Sequence, residues 1–168
     1  RMAGTLIASD DLKEVKVENE QSSKGGPSQV AITYNYYGTF AVAICEGPIV
    51  GIRRVWADGE LMFDGSGEGA ADTSESPSPW IMGLLQNGNE FSLGPYMTVY
   101  RGTEEQEPSS VLEAFLGSGN VPAHRGMAYA VFDGLPLTKF GNRIPNLEFE
   151  VVTKGEIVPD VSTFAARL

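Results

Sequence analysis

Few residues in this chain could carry out nucleophilic or acid–base catalysis, because it contains one histidine, His124, and one cysteine, Cys45. A Ser-His-Asp or Cys-His site would have to use that histidine. His124 lies in "NVPAHRGMAY", and no G-x-S-x-G motif is nearby. Cys45 ends an apolar run that is typical of a buried strand, and a lone cysteine excludes an internal disulfide. We interpret His124 as a loop residue without chemistry and Cys45 as a structural thiol.

Paired carboxylates are the second candidate chemistry, because glycoside hydrolysis needs an acid and a nucleophile or base. The available acids are Asp10, Asp11, Glu46, Asp58, Asp64 and Asp133. Asp58 and Asp133 each precede a glycine, which predicts a turn role for both. The segment 64–72, "DGSGEGAAD", spaces oxygen ligands somewhat as a calcium loop does, but it lacks the flanking helices and the terminal glutamate. We therefore expect no catalytic residues, no cofactor and no metal.

Arg143 is the most ambiguous polar residue, in "FGNRIPNLEFEVV". Gly141-Asn142 can supply a turn with positive φ, and Pro145 favours an extended residue before it. Arg143 could stabilise this turn by bonding to its own carbonyls or to a carboxylate such as Glu148 or Glu46, could contact another subunit, or could do chemistry. We favour the first role and keep the second open. The residues predicted to be structural or to contact a subunit are Asn142, Arg143, Glu46, Asp58 and Gly59.

Composition limits the possible classes of protein. The chain has 168 residues, of which 42% are hydrophobic, and that length suffices for one domain with a real core. Its net charge of −10 argues against nucleic acid as the main partner. The longest apolar run, 40–45, is far shorter than the ~20 residues that cross a bilayer, and no signal peptide is visible. Because the chain begins at Arg1, we interpret it as a domain excised from a longer protein.

Strand patterns dominate the sequence. "TLIAS", "LKEVKVENEQ", "QVAITYNYYGTFAVAICEG", "YMTVYRG", "GMAYAVFDG" and "NLEFEVV" each read as a strand, with Gly38 as a bulge or bend in the third. Asp58-Gly59 predicts a hairpin with a type I′ turn. In the strand before that turn, strict alternation would place Ile52, Arg54 and Trp56 on one face.

Two helices are predicted between these strands. The first has Ser78 as N-cap and Pro79 at its first position, and it ends before Gly88. In the second, Ser110 and Glu113 form a capping box. Residues 65–78 predict a flexible acidic loop, and residues 155–168 an exit segment. The predicted class is α+β, mainly β, with an antiparallel sheet or barrel-like domain and two short helices over residues 1–168.

Several segments together resemble one family. "RMAGTLI", "FAVAICEGPIVGIRRVWADGELMFD" and the stretch from "YRGTEEQEPSS" through "RGMAYAVF" to "FGNRIPNLEFEVV" resemble the tail-tip hub proteins of tailed phages and gene transfer agents, the lambda-type tip attachment or host-specificity group. Each motif alone is weak, but their order and spacing are specific. The resemblance covers most of the chain from residue 40 onward.

The resemblance implies a structural role at the distal end of a tail. The partners it implies are the tail tube, the distal tail and tip proteins, and further copies of the hub around the tail axis, in a virion assembled in the bacterial cytoplasm. It supplies no catalytic residues for this stretch. The alternative, from another class, is a domain that binds or processes carbohydrate. Such a domain would display a row of exposed aromatics, and the groups to test are Tyr34, Tyr36, Tyr37, Trp56 and Trp80.

Overall fold

A computed structural model describes residues 1–21, 29–65 and 88–153. The described chain is mainly β, as predicted, and all its strand pairings are antiparallel. Its elements are β1 (Met2–Ala3), β2 (Thr5–Ser9), β3 (Lys13–Gln21), β4 (Gln29–Glu46), β5 (Gly51–Ala57), β6 (Glu60–Asp64), β7 (Glu90–Leu93), β8 (Met97–Tyr100), α1 (Ser110–Leu116), β9 (Met127–Pro136), a 3₁₀ turn (Thr138–Phe140) and β10 (Leu147–Val152).

The strands form two sheets around a shared core. One sheet has the order β1-β10-β5-β6, and the other has the order β2-β4-β9-β8-β7 with β3 also paired to β4. Side chains of both sheets meet in one buried cluster, which includes Phe40 and Phe132 from the second sheet and Val55 and Phe149 from the first. The rings of Phe40 and Phe132 stack with centroids 4.8 Å apart. This packing accounts for the alternating apolar residues of the predicted strands.

Strand β9 is buried on both faces. Ala130 and Phe132 point into the core between the sheets, whereas Tyr129 and Val131 join a second cluster with Leu112 of α1. The helix therefore covers the outer face of this sheet. The continuous apolar run in "MAYAVF" follows from having a layer on either side.

Two β-bulges interrupt the second sheet where β4 and β9 pair. The register shifts between Gly38 and Phe40, but the extra residue lies on β9, so the bulge forms opposite Thr39 on the partner strand and not at Gly38 as predicted. The prediction of a turn at Asp133-Gly134 is wrong, because both residues lie within β9, opposite Thr39. The Thr39 hydroxyl donates to Asp133 Oδ1 at 3.3 Å and accepts from the Gly134 N–H at 3.1 Å. Gly134 adopts a φ of 61°, which this bulge requires and glycine permits.

The hairpin of β5 and β6 is confirmed, with Asp58 at φ 50° and Gly59 at φ 85° as a type I′ turn needs. The predicted grouping of side chains in β5 is wrong. Ile52 is buried together with Val55 and Ala57, not on the face of Arg54 and Trp56. Ile52 pairs with Val151 and Arg54 with Glu150, so Arg53 is an extra residue that reverses the alternation.

Helix α1 begins differently from the prediction. Its N-cap is Ser109, whose side chain makes no capping hydrogen bond, and so the predicted box of Ser110 with Glu113 is wrong. Glu113 instead accepts hydrogen bonds from the Ser118 hydroxyl and the Gly119 N–H, beyond the end of the helix. The predicted helix at 78–88, most of the acidic loop 65–78 and the segment 155–168 lie outside the described residues. No helix in the described part of the chain is long and apolar enough to cross a membrane.

Candidate functional site

Three loops from distant parts of the chain meet at one point, which we call the junction. They are Gly47–Ile49 after β4, Arg101–Gln106 after β8, and Ala123–Met127, which leads into the first residue of β9. The Gly47 N–H donates to Gly126 O, and the Ile49 N–H donates to Arg101 O, each at 2.9 Å. The junction thus joins the segments "CEGPI", "YRG" and "RGMAY" through their main chains.

Two glycines allow these loops to come together. A Cβ on Gly47 would lie 2.6 Å from Arg101 O and 2.9 Å from Gly102 Cα. A Cβ on Gly102, which has a φ of 81°, would lie 2.8 Å from the main chain of Met127 and of Ala128. Because a Cβ cannot lie so close to main-chain atoms, only glycine fits at positions 47 and 102 without a shift of the loops.

Gln106 fills the centre of the junction and is fully buried. Its Oε1 accepts a hydrogen bond from the Gly102 N–H at 2.7 Å. Its Nε2 donates to the carbonyl oxygens of Ala123 and His124, both at 2.9 Å. The amide therefore satisfies buried main-chain groups on two loops at once. The sequence reasoning missed Gln106, since these partners become its neighbours only after folding.

Arg101 extends the junction toward β5 and β7. It is only 8% exposed, and its Nε donates to Gly88 O at 3.1 Å while its Nη1 donates to Val50 O. The guanidinium also lies over the ring of Phe91, with 4.4 Å between Cζ and the ring centroid. Burial lowers the pKa of this guanidinium. These contacts direct the Arg101 side chain to main-chain carbonyls and an aromatic ring.

Arg143 and Asp58, both predicted site residues, lie together. Arg143 Nη2 is 2.9 Å from Asp58 Oδ2, and Arg143 Nη1 is 3.4 Å from Asp58 Oδ1. Asp58 Oδ1 also accepts the Asn146 N–H at 2.9 Å, and the Asp58 N–H donates to Asn146 O at 2.8 Å. The turn that contains Arg143 is therefore joined to the β5–β6 hairpin within the same chain.

Of the other predicted site residues, Asn142 and Gly59 lie in the two turns that this contact joins, and Glu46 lies elsewhere. Asn142 has a φ of 58° and Gly141 a φ of 67°, which confirms the positive-φ turn, and Gly59 forms the hairpin turn beside Asp58. Glu46 is exposed at the end of β4 and has no ion pair with another described residue. Glu46 is therefore not the partner of Arg143, and Glu148, the other carboxylate that was suggested, pairs with Arg1.

The carboxylates along β10 pair with other arginines. Glu148 pairs with Arg1, and Glu150 lies 3.3 Å from Arg54 Nη1. Arg54 Nε also lies 3.3 Å from Asp64, the first residue of the segment compared with a calcium loop. The acidic face of β10 therefore serves ion pairs between neighbouring strands of the first sheet.

Burial shifts the pKa values of several residues with catalytic potential. Burial lowers the pKa of His124, whose ring packs edge-on against Tyr129 at 5.1 Å between centroids. Burial raises the pKa of the Cys45 thiol, which keeps it protonated at neutral pH. Burial also raises the pKa of Tyr100 to about 12 and raises that of Tyr129. The two tyrosine rings stack 4.4 Å apart in the cluster under α1.

A cleft of about 470 Å³ lies between the β7–β8 hairpin and the end of β9. Its walls are mostly apolar, formed by side chains such as Met62, Phe63 and Leu93, and Lys139 is its single titratable lining side chain apart from Tyr96. Within the described ranges, no group of three His, Cys, Asp or Glu residues could hold a metal ion. The cleft offers apolar contact but no acid–base pair.

The aromatic side chains do not form a row in the described part of the chain. Tyr34 is 45% exposed, whereas Tyr36 is half-buried and donates to Glu14 at 2.5 Å. Tyr37 alternates with Tyr36 along β4 and so points to the opposite face. Trp56 lies in the other sheet beneath the guanidinium of Arg1. Trp80 falls outside the described residues.

Comparison with solved structures found a chain that is similar to this one. The chain is similar, with 28% identity over 99% of its length and a TM-score of 0.48, to a chain in a solved structure described as "Virion of native gene transfer agent (GTA) particle". This chain spans 31% of that chain. No protein-family model matches the sequence, and no curated protein matches it.

Proposed function

We propose that this chain is a structural module of a virion, and specifically of the tail-tip or baseplate hub of a phage, prophage or gene transfer agent. In that role it would connect the tail tube to modules that recognise the host. The observation that carries this proposal is the junction, where the segments with the family resemblance meet. Those segments direct their polar atoms at main-chain groups, as residues that specify an architecture do.

A structural role accounts for the site residues better than an enzymatic one. Gly47, Gly102 and Gln106 hold three loops together, and Asp58 with Arg143 joins two turns. Each of these contacts is made within the chain. Any activity on the cell wall would then belong to other parts of the parent protein.

The proposed partners are other tail proteins and further copies of the chain around the tail axis. The net charge of −10 opposes binding to nucleic acid, and a chain inside a larger assembly can direct acidic surface to solvent or to basic neighbours. The proposed location is the tail tip of the virion, after assembly in the bacterial cytoplasm.

A deletion in the parent gene tests the structural role. The codons for residues 1–168 are removed in frame, and the particles are imaged by negative-stain electron microscopy. Their tails should be absent or should lack the distal end. Supplying the intact parent gene in trans should restore them. Complete tails of normal length and normal end structure in the deletion strain would contradict the proposal, and such tails combined with loss of wall-degrading activity would favour the carbohydrate-processing alternative.

A further inference from the structure

A two-stranded ribbon projects from the second sheet. We call it the arm, and it consists of β3 (Lys13–Gln21) and residues 29–35 of β4. Strand β9 pairs with β4 only from Tyr37 onward. In the described part of the chain, β3 is therefore the only strand that pairs with residues 29–35 of β4. An isolated two-stranded hairpin is marginally stable in water, and most such ribbons are covered by other structure.

The free edge of β4 in the arm carries unpaired main-chain groups. The Leu137 N–H donates to Tyr36 O at 2.8 Å, which shows that the polar groups of Tyr36 face the side of β9. Because these groups alternate along an antiparallel strand, those of Tyr34 and Ile32 face the same side. No described strand pairs with them there.

The two edges of the arm differ in chemistry. The outer edge is β3, which carries exposed Lys16 and Glu18 in an ion pair of 2.6 Å. Charged side chains are the usual protection of an edge that stays in solvent. The β4 edge carries Ile32, 51% exposed, and Tyr34, 45% exposed. An apolar edge of this kind is typical of a strand that pairs with another strand.

A second open edge lies on β2, at the end of the same sheet. Strand β2 pairs with β4 on one side and with no described strand on the other. It exposes Leu6 at 51% and Ile7 at 37%. Its five residues span about 17 Å, and the seven residues of the free β4 edge span about 23 Å, so the β4 edge is long enough to pair with all of β2.

The exposed apolar side chains concentrate around these two edges. The described chain exposes nine large hydrophobic side chains, and the first six of them in sequence lie between residues 2 and 34: Met2, Leu6, Ile7, Leu12, Ile32, Tyr34, Leu61, Tyr96 and Leu116. One chain therefore presents two apolar edges at different places on its surface, and the longer edge can pair along the whole of the shorter one. This complementarity indicates another copy of the same chain as the occupant.

We propose that the free β4 edge of the arm pairs with the outer edge of β2 in a second copy of this chain. The two edges are different surfaces, so the contact is head-to-tail and each copy offers one further edge to the next. That such contacts close into a ring around the tail axis rests on the proposed function. Main-chain hydrogen bonds and contact among Ile32, Tyr34 and Leu6 would stabilise the pairing.

Cysteine cross-linking of the purified chain tests this pairing. In a Cys45→Ser background, chains with Ile7→Cys are mixed with chains of different mass that carry Ile32→Cys, and a short bismaleimide is added. The mixed dimer should be the main product. Leu61→Cys is the matched control, because Leu61 is also 51% exposed but lies on β6. It should give little product with either partner.

The other outcomes overturn the proposal. A dominant Ile32–Ile32 product would show that arms pair with each other, equal yields with Leu61→Cys would show random collision, and no product would show that the edges do not meet. A second readout is self-association by sedimentation. Ile32→Lys should weaken it at least about tenfold, whereas Glu18→Gln, with the same change in charge on the opposite strand, should not.

The location of the chain in tail particles is measured separately from this contact. A chain that is found in tails but gives no mixed dimer overturns the arm contact and leaves the proposed function intact. A chain that gives the mixed dimer but is missing from tails overturns the proposed function and leaves the arm contact intact.

Discussion

At the scale of single residues, we expect substitution of Asp58 to destabilise the fold more than substitution of its partner Arg143. Their side chains are 26% and 59% exposed, respectively. We expect Arg143→Ala to lower the free energy of unfolding by about 0.2–1 kcal/mol, as exposed pairs do. Asp58→Ala should cost about 1.5–3 kcal/mol, because the Asn146 N–H also loses its charged acceptor. Urea denaturation of the isolated chain measures both changes.

Asp58→Asn is the matched control for that comparison. Asparagine tolerates positive φ and can still accept the Asn146 N–H, so it should cost about as much as Arg143→Ala. If Arg143→Ala leaves stability unchanged while Asp58→Ala is costly, the ion pair does not hold the turn. Arg143 would then be available for a neighbouring subunit.

Gln106 should be among the most sensitive polar residues of the chain. Gln106→Ala removes an acceptor for the buried Gly102 N–H and donors for two partly buried carbonyls, which should cost about 2–5 kcal/mol. Glu105→Ala, at the exposed position directly before it, should leave stability nearly unchanged. Equal effects of the two substitutions on the melting temperature would show that the junction contributes nothing to stability.

The buried tyrosines predict a loss of stability in alkali. Burial raises the pKa of Tyr100 to about 12, and it also raises that of Tyr129. Their contribution is fully present below the unfolded pKa of about 10 and is lost as pH rises toward the folded value. Tyr100→Phe should reduce the fall in stability between about pH 9 and about pH 11.5. A fall of the same size in Tyr100→Phe and in the unchanged chain would contradict this account.

At the scale of elements, the close approach of the loops depends on Gly102. We expect Gly102→Ala to cost about 2–6 kcal/mol, because the residue has a φ of 81° and its Cβ would overlap the main chain of Met127 and Ala128. Gly126→Ala is the control, since Gly126 has a similar φ of 77° but open space around it, and backbone strain alone costs about 1–2 kcal/mol. Equal denaturation midpoints for the two variants would show that loop contact is unimportant.

Local signals predicted the elements of this fold well. Asp58-Gly59 predicted the hairpin turn, and "TLIAS" predicted β2, because both depend on neighbouring residues. The face of Ile52 was predicted wrongly, since a bulge at Arg53 leaves no mark in the residue types. The Asp133-Gly134 dipeptide was equally compatible with a turn and with the bulge that forms.

The candidate site was less accessible from sequence than the elements. Asp58 and Arg143 were both singled out, but their pairing joins positions 85 residues apart, and no local pattern encodes it. Gln106 resembles any polar loop residue until three distant carbonyls surround its amide. Contacts of this kind follow from the packing of whole loops and require a structure.

At the scale of the whole molecule, the junction and the exposed apolar side chains are compatible with a domain that packs against other proteins. The polar residues of the junction serve the main chain, and the exposed apolar side chains concentrate on the first strands. The walls of the cleft beside the β7–β8 hairpin are mostly apolar. The structural module that we propose would account for these observations.

Immunogold labelling of purified particles tests this central claim most directly. Antibodies raised against the 168-residue chain are applied to tails from the source organism, with particles from the in-frame deletion strain as the control. The account predicts gold at the distal end of the tail and no label on the control. Absence of the chain from intact, purified particles, or label confined to free protein in the lysate, would contradict it.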